Sequence, residues 1–278
     1  MKAGRQLQKG ACRVCDAERL CPSTHGARSA TRRGVENNST DCAEFLQQTF
    51  KIYGMFRSGT ILTKVLLEQN FQAKCEAYYG GHKHFFIPGT WDETGFVADT
   101  RTVVIVVKDP YAQLVSLFRY AQETGFRHFD CPRDWSAYLR SWFTVTLAAP
   151  QLSPTYRFRN PIAYWNELNL HWVASALPRK IIVRYEDILA DPEKEMQRIS
   201  AQFPDIRRLD HTASLPGNIL LKVAGDTTPE TFETEIGFEK TSYYLNRHYM
   251  REFGYLQRRF VRSQLDPELV GRLGYNIP

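Results

Sequence analysis

The stretch KIYGMFRSGTILT at residues 51–63 carries two glycines, Gly54 and Gly59, with four residues between them, ahead of an apolar helical pattern. A short strand, a glycine-bracketed turn and a helix start present backbone N–H groups and the positive end of a helix to a phosphate. A nucleoside-triphosphate loop would continue with lysine and then serine or threonine after the second glycine. Here those positions hold Thr60 and Ile61, so the cation for a γ-phosphate and the magnesium-holding hydroxyl are both missing. The cation is Arg57, inside the turn and next to Ser58. These parts suit a donor with a single 5′ anionic group and no need of a metal.

A second anion grip follows the apolar run TVVIVV at residues 102–107. Lys108 falls at the C-terminal end of that strand, where open α/β sheets bind ligands. Ser116 lies a little under two turns into the next helix, and an ammonium and a hydroxyl so placed can hold another phosphate. Proton transfer has two candidate groups between the loop helix and this strand. GGHKHFFIP at residues 80–88 offers His82, Lys83 and His84, and Glu76 precedes it. An imidazole with a near-neutral pKa suits a general base. His84 read as a packed or solvated residue without chemistry is the alternative.

The elements that must position these residues show in the apolar periods. FKIYG at 50–54, TVVIVV at 102–107 and KIIVRYED at 180–187 read as strands, the last two as buried ones. Ile61, Leu62, Val65 and Leu66 share one helical face after the glycine loop. Asp109-Pro110, Asp191-Pro192 and Asp266-Pro267 each pair an N-cap acceptor with a proline that has no N–H to leave unpaired. PIAYWNELNLHWVASAL at 161–177 is a further helix whose Trp165, Leu168 and Trp172 stripe reads as core. Residues 215–237 read as loop, with an aromatic helix at 243–255. Strands alternating with helices predict an α/β fold with a parallel, doubly wound sheet in three layers.

The chain has 278 residues and a net charge of +6. Residues 1–41 hold eight Lys/Arg and four Asp/Glu, so most of the excess lies there and the body is near balance, which argues against a nucleic-acid surface. The opening residues lack the apolar stretch of a signal peptide, and no run is long enough to span a bilayer, so a cytoplasmic location is expected. Cys12, Cys15, Cys21 and His25 have chelating types, but the spacing of the second pair is odd for zinc. Residues 1–43 are therefore read as a disordered basic tail and 44–278 as the domain, with no metal expected.

Phe56-Arg57-Ser58-Gly59-Thr60, Lys108-Asp109-Pro110 with Ser116, and VRYEDILADPEKEMQRIS at 183–200 resemble, in order, three blocks of the sulfotransferases that use 3′-phosphoadenosine 5′-phosphosulfate. The resemblance covers roughly residues 50–203. It implies a P-loop NTPase-like fold, with residues 57–61 holding the 5′-phosphosulfate, Lys108 and Ser116 the 3′-phosphate, and Tyr185 near the adenosine. It implies in-line transfer of a sulfuryl group to an acceptor hydroxyl or amine, on a glycan, glycolipid or small alcohol. Arg57 would stabilise the leaving phosphate, and His84 or Glu76 would be the base. Two departures stand out: lysine at 108 replaces the family's usual arginine, and a C-terminal R-K-G-x-x-G-D-W block is absent, LLKVAGDTTPE sharing only Gly225-Asp226. A P-loop phosphotransferase, and a non-catalytic binding protein with a zinc-dependent N-terminal module, are the competing readings.

Overall fold

The computed structural model describes residues 48–76, 82–87, 101–147, 155–216, 218–222, 231–235 and 238–277, with the backbone alone at 218–222, 231–235 and 238–240. Contacts divide the chain into Met1–Glu44 and Phe45–Pro278, and only the second unit holds described residues. The expected tail with Cys12, Cys15, Cys21 and His25 lies outside the described residues, as do Gly225 and Asp226.

Four parallel strands form the central sheet: β1 (Gln48–Gly54), β2 (Ala73–Glu76), β3 (Thr102–Val107) and, late in the chain, the strand Lys180–Arg184, in the order β2-β1-β3-(180–184). β3 is buried throughout because both of its faces are covered. Val103, Ile105 and Val107 join one apolar cluster, while Val104 and Val106 join the other. The period-2 alternation of a strand makes this division automatic. Helix α1 (Thr60–Asn70) lays Leu62, Leu66 and Leu67 on one face. On the other, α2 (Pro110–Glu123) contributes Leu114 and Leu117. The core is thus split by the sheet, as an α/β architecture requires.

A small antiparallel sheet, not anticipated, follows: β4 (Phe129–Asp130), β5 (Phe143–Thr146) and β6 (Thr155–Phe158), with α3 (Trp135–Arg140) between the first two. Helix α4 (Pro161–Ala174) buries Trp165, Leu168 and Trp172 as core. Its start repeats the cap-and-proline device, Asn160 Oδ1 accepting from the Ala163 N–H at 2.7 Å. All three Asp-Pro pairs cap helices: α2, α6 (Pro192–Gln202) and α9 (Pro267–Arg272).

Three expectations are corrected. The strand expected over 180–187 is β7 (Lys180–Arg184) and stops there; Tyr185–Ala190 is helix α5. Glu186 and Asp187 lie in the first turn of that helix, where the positive end of its dipole favours carboxylates. The stretch expected as loop contains a hairpin, β8 (Asn218–Lys222) paired antiparallel with β9 (Thr231–Glu235). Its strands are five residues each. The aromatic segment is also broken. Helix α7 (Phe238–Leu245) is followed by a 3-10 turn (His248–Glu252) and then α8 (Tyr255–Gln264), with Arg247 at φ +53 marking the first break. Among the described residues, no helix is long and apolar enough to cross a membrane.

Candidate functional site

Register sets the site. Gly54 pairs with Val106, and Val107 pairs with Arg184, so three adjacent parallel strands end together. The next residues on each, the loop from Met55, Lys108 and Tyr185, leave the sheet at one rim, the C-terminal edge where such sheets bind ligands.

The two loop glycines have separate reasons. A Cβ on Gly54 would lie 2.5 Å from Ser58 Oγ and 2.8 Å from the Val106 carbonyl, so the loop folds back where only hydrogen fits. Gly59 has φ +99, and a Cβ there would overlap the Tyr185 ring. Arg57 adopts φ +65, left-handed without glycine's freedom, a cost of roughly 1–2 kcal/mol that the surroundings must hold in place. The braces are visible. The Ser58 N–H donates to Met55 O (3.1 Å), Gln113 Nε2 to Phe56 O (2.6 Å), and Lys108 Nζ to Arg57 O (3.3 Å).

Helix α1 leaves this loop with no side-chain cap and no acidic residue in its first turn. The Ser58 hydroxyl is buried and has no hydrogen-bond partner among the described residues. An uncapped helix N-terminus in the turn that follows an orphaned hydroxyl is chemically able to hold an anion. Arg57 is exposed, its guanidinium 5.3 Å from the centre of the Tyr120 ring, and Ile61 lies part-exposed in the first turn of α1.

Lys108 is more enclosed than its sequence position suggests. Only 2% of it reaches solvent. Its ammonium donates to Ser116 Oγ at 3.0 Å as well as to the Arg57 carbonyl, and lies 3.8 Å from the centre of the Tyr244 ring and 4.5 Å from that of Tyr185. Burial lowers its pKa, which the nearby Tyr244 hydroxyl opposes. Among the described residues, every direct partner of this cation is a neutral oxygen or a ring face. Trp165 Nε1 fixes the backbone beneath it by donating to Lys108 O (3.1 Å). The neighbouring Asp109 caps α2 through the N–H groups of Tyr111 and Ala112, and its own N–H donates to Glu186.

His84 joins the same rim through Gly54. The Gly54 N–H donates to Lys83 O (2.9 Å), and the Gly54 carbonyl receives His84 Nδ1 (2.6 Å). A carbonyl can only accept, so Nδ1 carries the proton and Nε2 is left with its lone pair. The ring stacks on Phe56 at 4.2 Å. Burial, then the charges of Lys83 and His82, hold its pKa well below the ordinary histidine value. At neutral pH the imidazole is therefore the free base.

Glu76 is placed differently. It ends β2 opposite Lys51, which precedes Gly54 by three positions, and it pairs with Arg101 at 3.6 Å. The structure thus brings Arg57, Ser58, Gly59, Thr60, Lys108, Ser116, Tyr185 and His84 to one rim and sets Glu76 aside on the neighbouring edge strand.

Sequence reasoning missed Tyr244 and Gln113. Tyr244 comes from α7, more than a hundred residues from Ser116, yet its hydroxyl lies 3.2 Å from Ser116 Oγ. No local pattern could reveal that pairing. Gln113, fully buried one turn before Ser116 on α2, is a polar residue at a core position and so a sequence signal of a polar task. No protein-family model matches the chain, and no curated protein matches it.

Proposed function

We propose that the protein is a sulfotransferase that moves a sulfuryl group from 3′-phosphoadenosine 5′-phosphosulfate to an acceptor hydroxyl or amine on a glycan, glycolipid or small alcohol. The observation that carries this reading is the junction at Arg57. On one side of it stands the uncapped end of α1 with the orphaned Ser58 hydroxyl; on the other, its carbonyl is bonded to the buried Lys108 ammonium. Two anion grips so joined suit one ligand with two anionic groups. The Tyr185 ring, against Gly59 and 4.5 Å from Lys108, touches both grips and is the side chain this reading sets nearest the adenosine. The parallel sheet with its anion loop after the first strand is read accordingly as P-loop NTPase-like.

In this reading the backbone N–H groups of residues 59–61 and the Ser58 hydroxyl hold the 5′ group still. Arg57 and the positive end of α1 stabilise the charge that grows on the leaving phosphate oxygen. His84 Nε2 takes the proton of the acceptor hydroxyl as the acceptor oxygen forms its bond to sulfur. The bond from sulfur to the phosphate oxygen breaks, and adenosine 3′,5′-bisphosphate departs. Thr60 and Ile61, where a kinase-like loop needs lysine and a magnesium-binding hydroxyl, favour this over phosphotransfer.

Calorimetry in the presence of a chelator tests the proposal. Adenosine 3′,5′-bisphosphate is expected to bind without metal and more tightly than ADP. Binding of ATP that requires magnesium, with no preference for the bisphosphate, would overturn it.

A further inference from the structure

The enclosure of Lys108 has a consequence for the ligand, and it rests on the nucleotide reading above. A phosphate cannot reach the ammonium of a lysine that is only 2% exposed. Something must leave first, and the surroundings show what. The Arg57 carbonyl belongs to a loop braced by Gln113 and Ser58, and Ser116 is on the second turn of α2. Tyr185 is wedged against Gly59. Tyr244 is different: it is half-buried, on the last turn of an eight-residue helix, with its ring centre 3.8 Å from the ammonium. Its hydroxyl, 3.2 Å from Ser116 Oγ, takes up the serine that a phosphate oxygen would use. Its ring face takes up the cation that the phosphate charge would use.

We infer that Tyr244 is an internal competitor for the 3′-phosphate: its phenol holds the Lys108–Ser116 site in the free protein, weakens the grip on the nucleotide, and helps expel the bisphosphate product. A site that must first be vacated binds more weakly by the fraction of molecules in which it is open. A nucleotide without a 3′-phosphate leaves Tyr244 where it is and escapes that penalty.

The test is calorimetry of wild type and Tyr244→Phe with two probes, adenosine 3′,5′-bisphosphate and AMP. Removing the hydroxyl deletes the bond to Ser116 and keeps the ring. Such a bond is worth enough to predict a roughly three- to ten-fold gain in bisphosphate affinity, with AMP unchanged. Tyr244→Ala, which also removes the covering ring, is expected to bind the bisphosphate at least as tightly as Tyr244→Phe. Thermal melting of both free variants confirms that they fold. If the wild type binds the bisphosphate and Tyr244→Phe binds it equally or less well, the competitor role is wrong and the nucleotide reading survives. If neither protein binds the bisphosphate, both fall together.

Discussion

Replacing Ser58 by alanine should move stability and ligand binding in opposite directions. The hydroxyl is buried at a residue 1% exposed and has no hydrogen-bond partner among the described residues, so it enters the free fold as an unmet hydrogen-bonding group. That deficit costs about 1–3 kcal/mol, and alanine removes it without creating a sizeable cavity. For a domain of this size each kcal/mol shifts the melting temperature by about 2–4 °C. Ser58→Ala should therefore melt higher by at least about 2 °C. In the proposed function the same hydroxyl, uncovered when the loop takes up its ligand, donates to the 5′ anionic group. A hydrogen bond to a charged group is worth about 1.5–3 kcal/mol, so bisphosphate affinity should fall by roughly 10- to 150-fold. Differential scanning calorimetry reads the first effect and titration calorimetry the second. A variant that melts higher but binds the nucleotide as well as wild type would show the orphaned hydroxyl to be a packing defect. A variant that melts lower would show that the hydroxyl has a role in the free fold, and the argument for an anion site at α1 would lose its main support.

Further outcomes follow from the same geometry. Gly59→Ala forces a Cβ into the Tyr185 ring at φ +99, so nucleotide binding should be lost and the fold destabilised by at least about 1–2 kcal/mol; a urea titration and calorimetry check both. His84→Gln should abolish acceptor turnover and leave bisphosphate binding intact. Because His84 titrates below its ordinary value, turnover in wild type should persist through pH 6.5 and fail only at lower pH. The sign for stability is the same. The unfolded imidazole takes its proton near pH 6.5 while the folded one does not, so unfolding binds a proton and stability declines as pH falls below about 6.5. The slope is up to about 1.4 kcal/mol per pH unit. In His84→Gln that part of the decline should vanish, as urea titrations at pH 5 and 7 would show.

Much of the frame was legible in local pattern. TVVIVV announced a strand buried on both faces, since only a covered strand carries no polar side. The Asp-Pro pairs announced three helix starts, because carboxylate cap and missing N–H are local effects. Where longer-range forces decide, the pattern misled. Tyr185 looked like strand, but it opens a helix once Glu186 turns to accept from Asp109 and from the Tyr275 hydroxyl. The hairpin at 218–235 was hidden because each strand is stabilised by its partner across an intervening connection.

For the candidate site, residue types and spacing by themselves named the loop, Lys108, Ser116 and His84, since each stands in a local arrangement whose chemistry does not depend on the rest of the fold. Which of them meet was a tertiary matter. Strand register put Gly54, Lys108 and Tyr185 at one rim and left Glu76 on the edge strand with Arg101. A single carbonyl, that of Gly54, chose the protonated nitrogen of His84. The cover over Lys108 came from Tyr244, on a helix that enters the site from the far end of the chain. Sequence spacing can state what a residue is able to bind, but only packing decides which remote side chain already occupies the place.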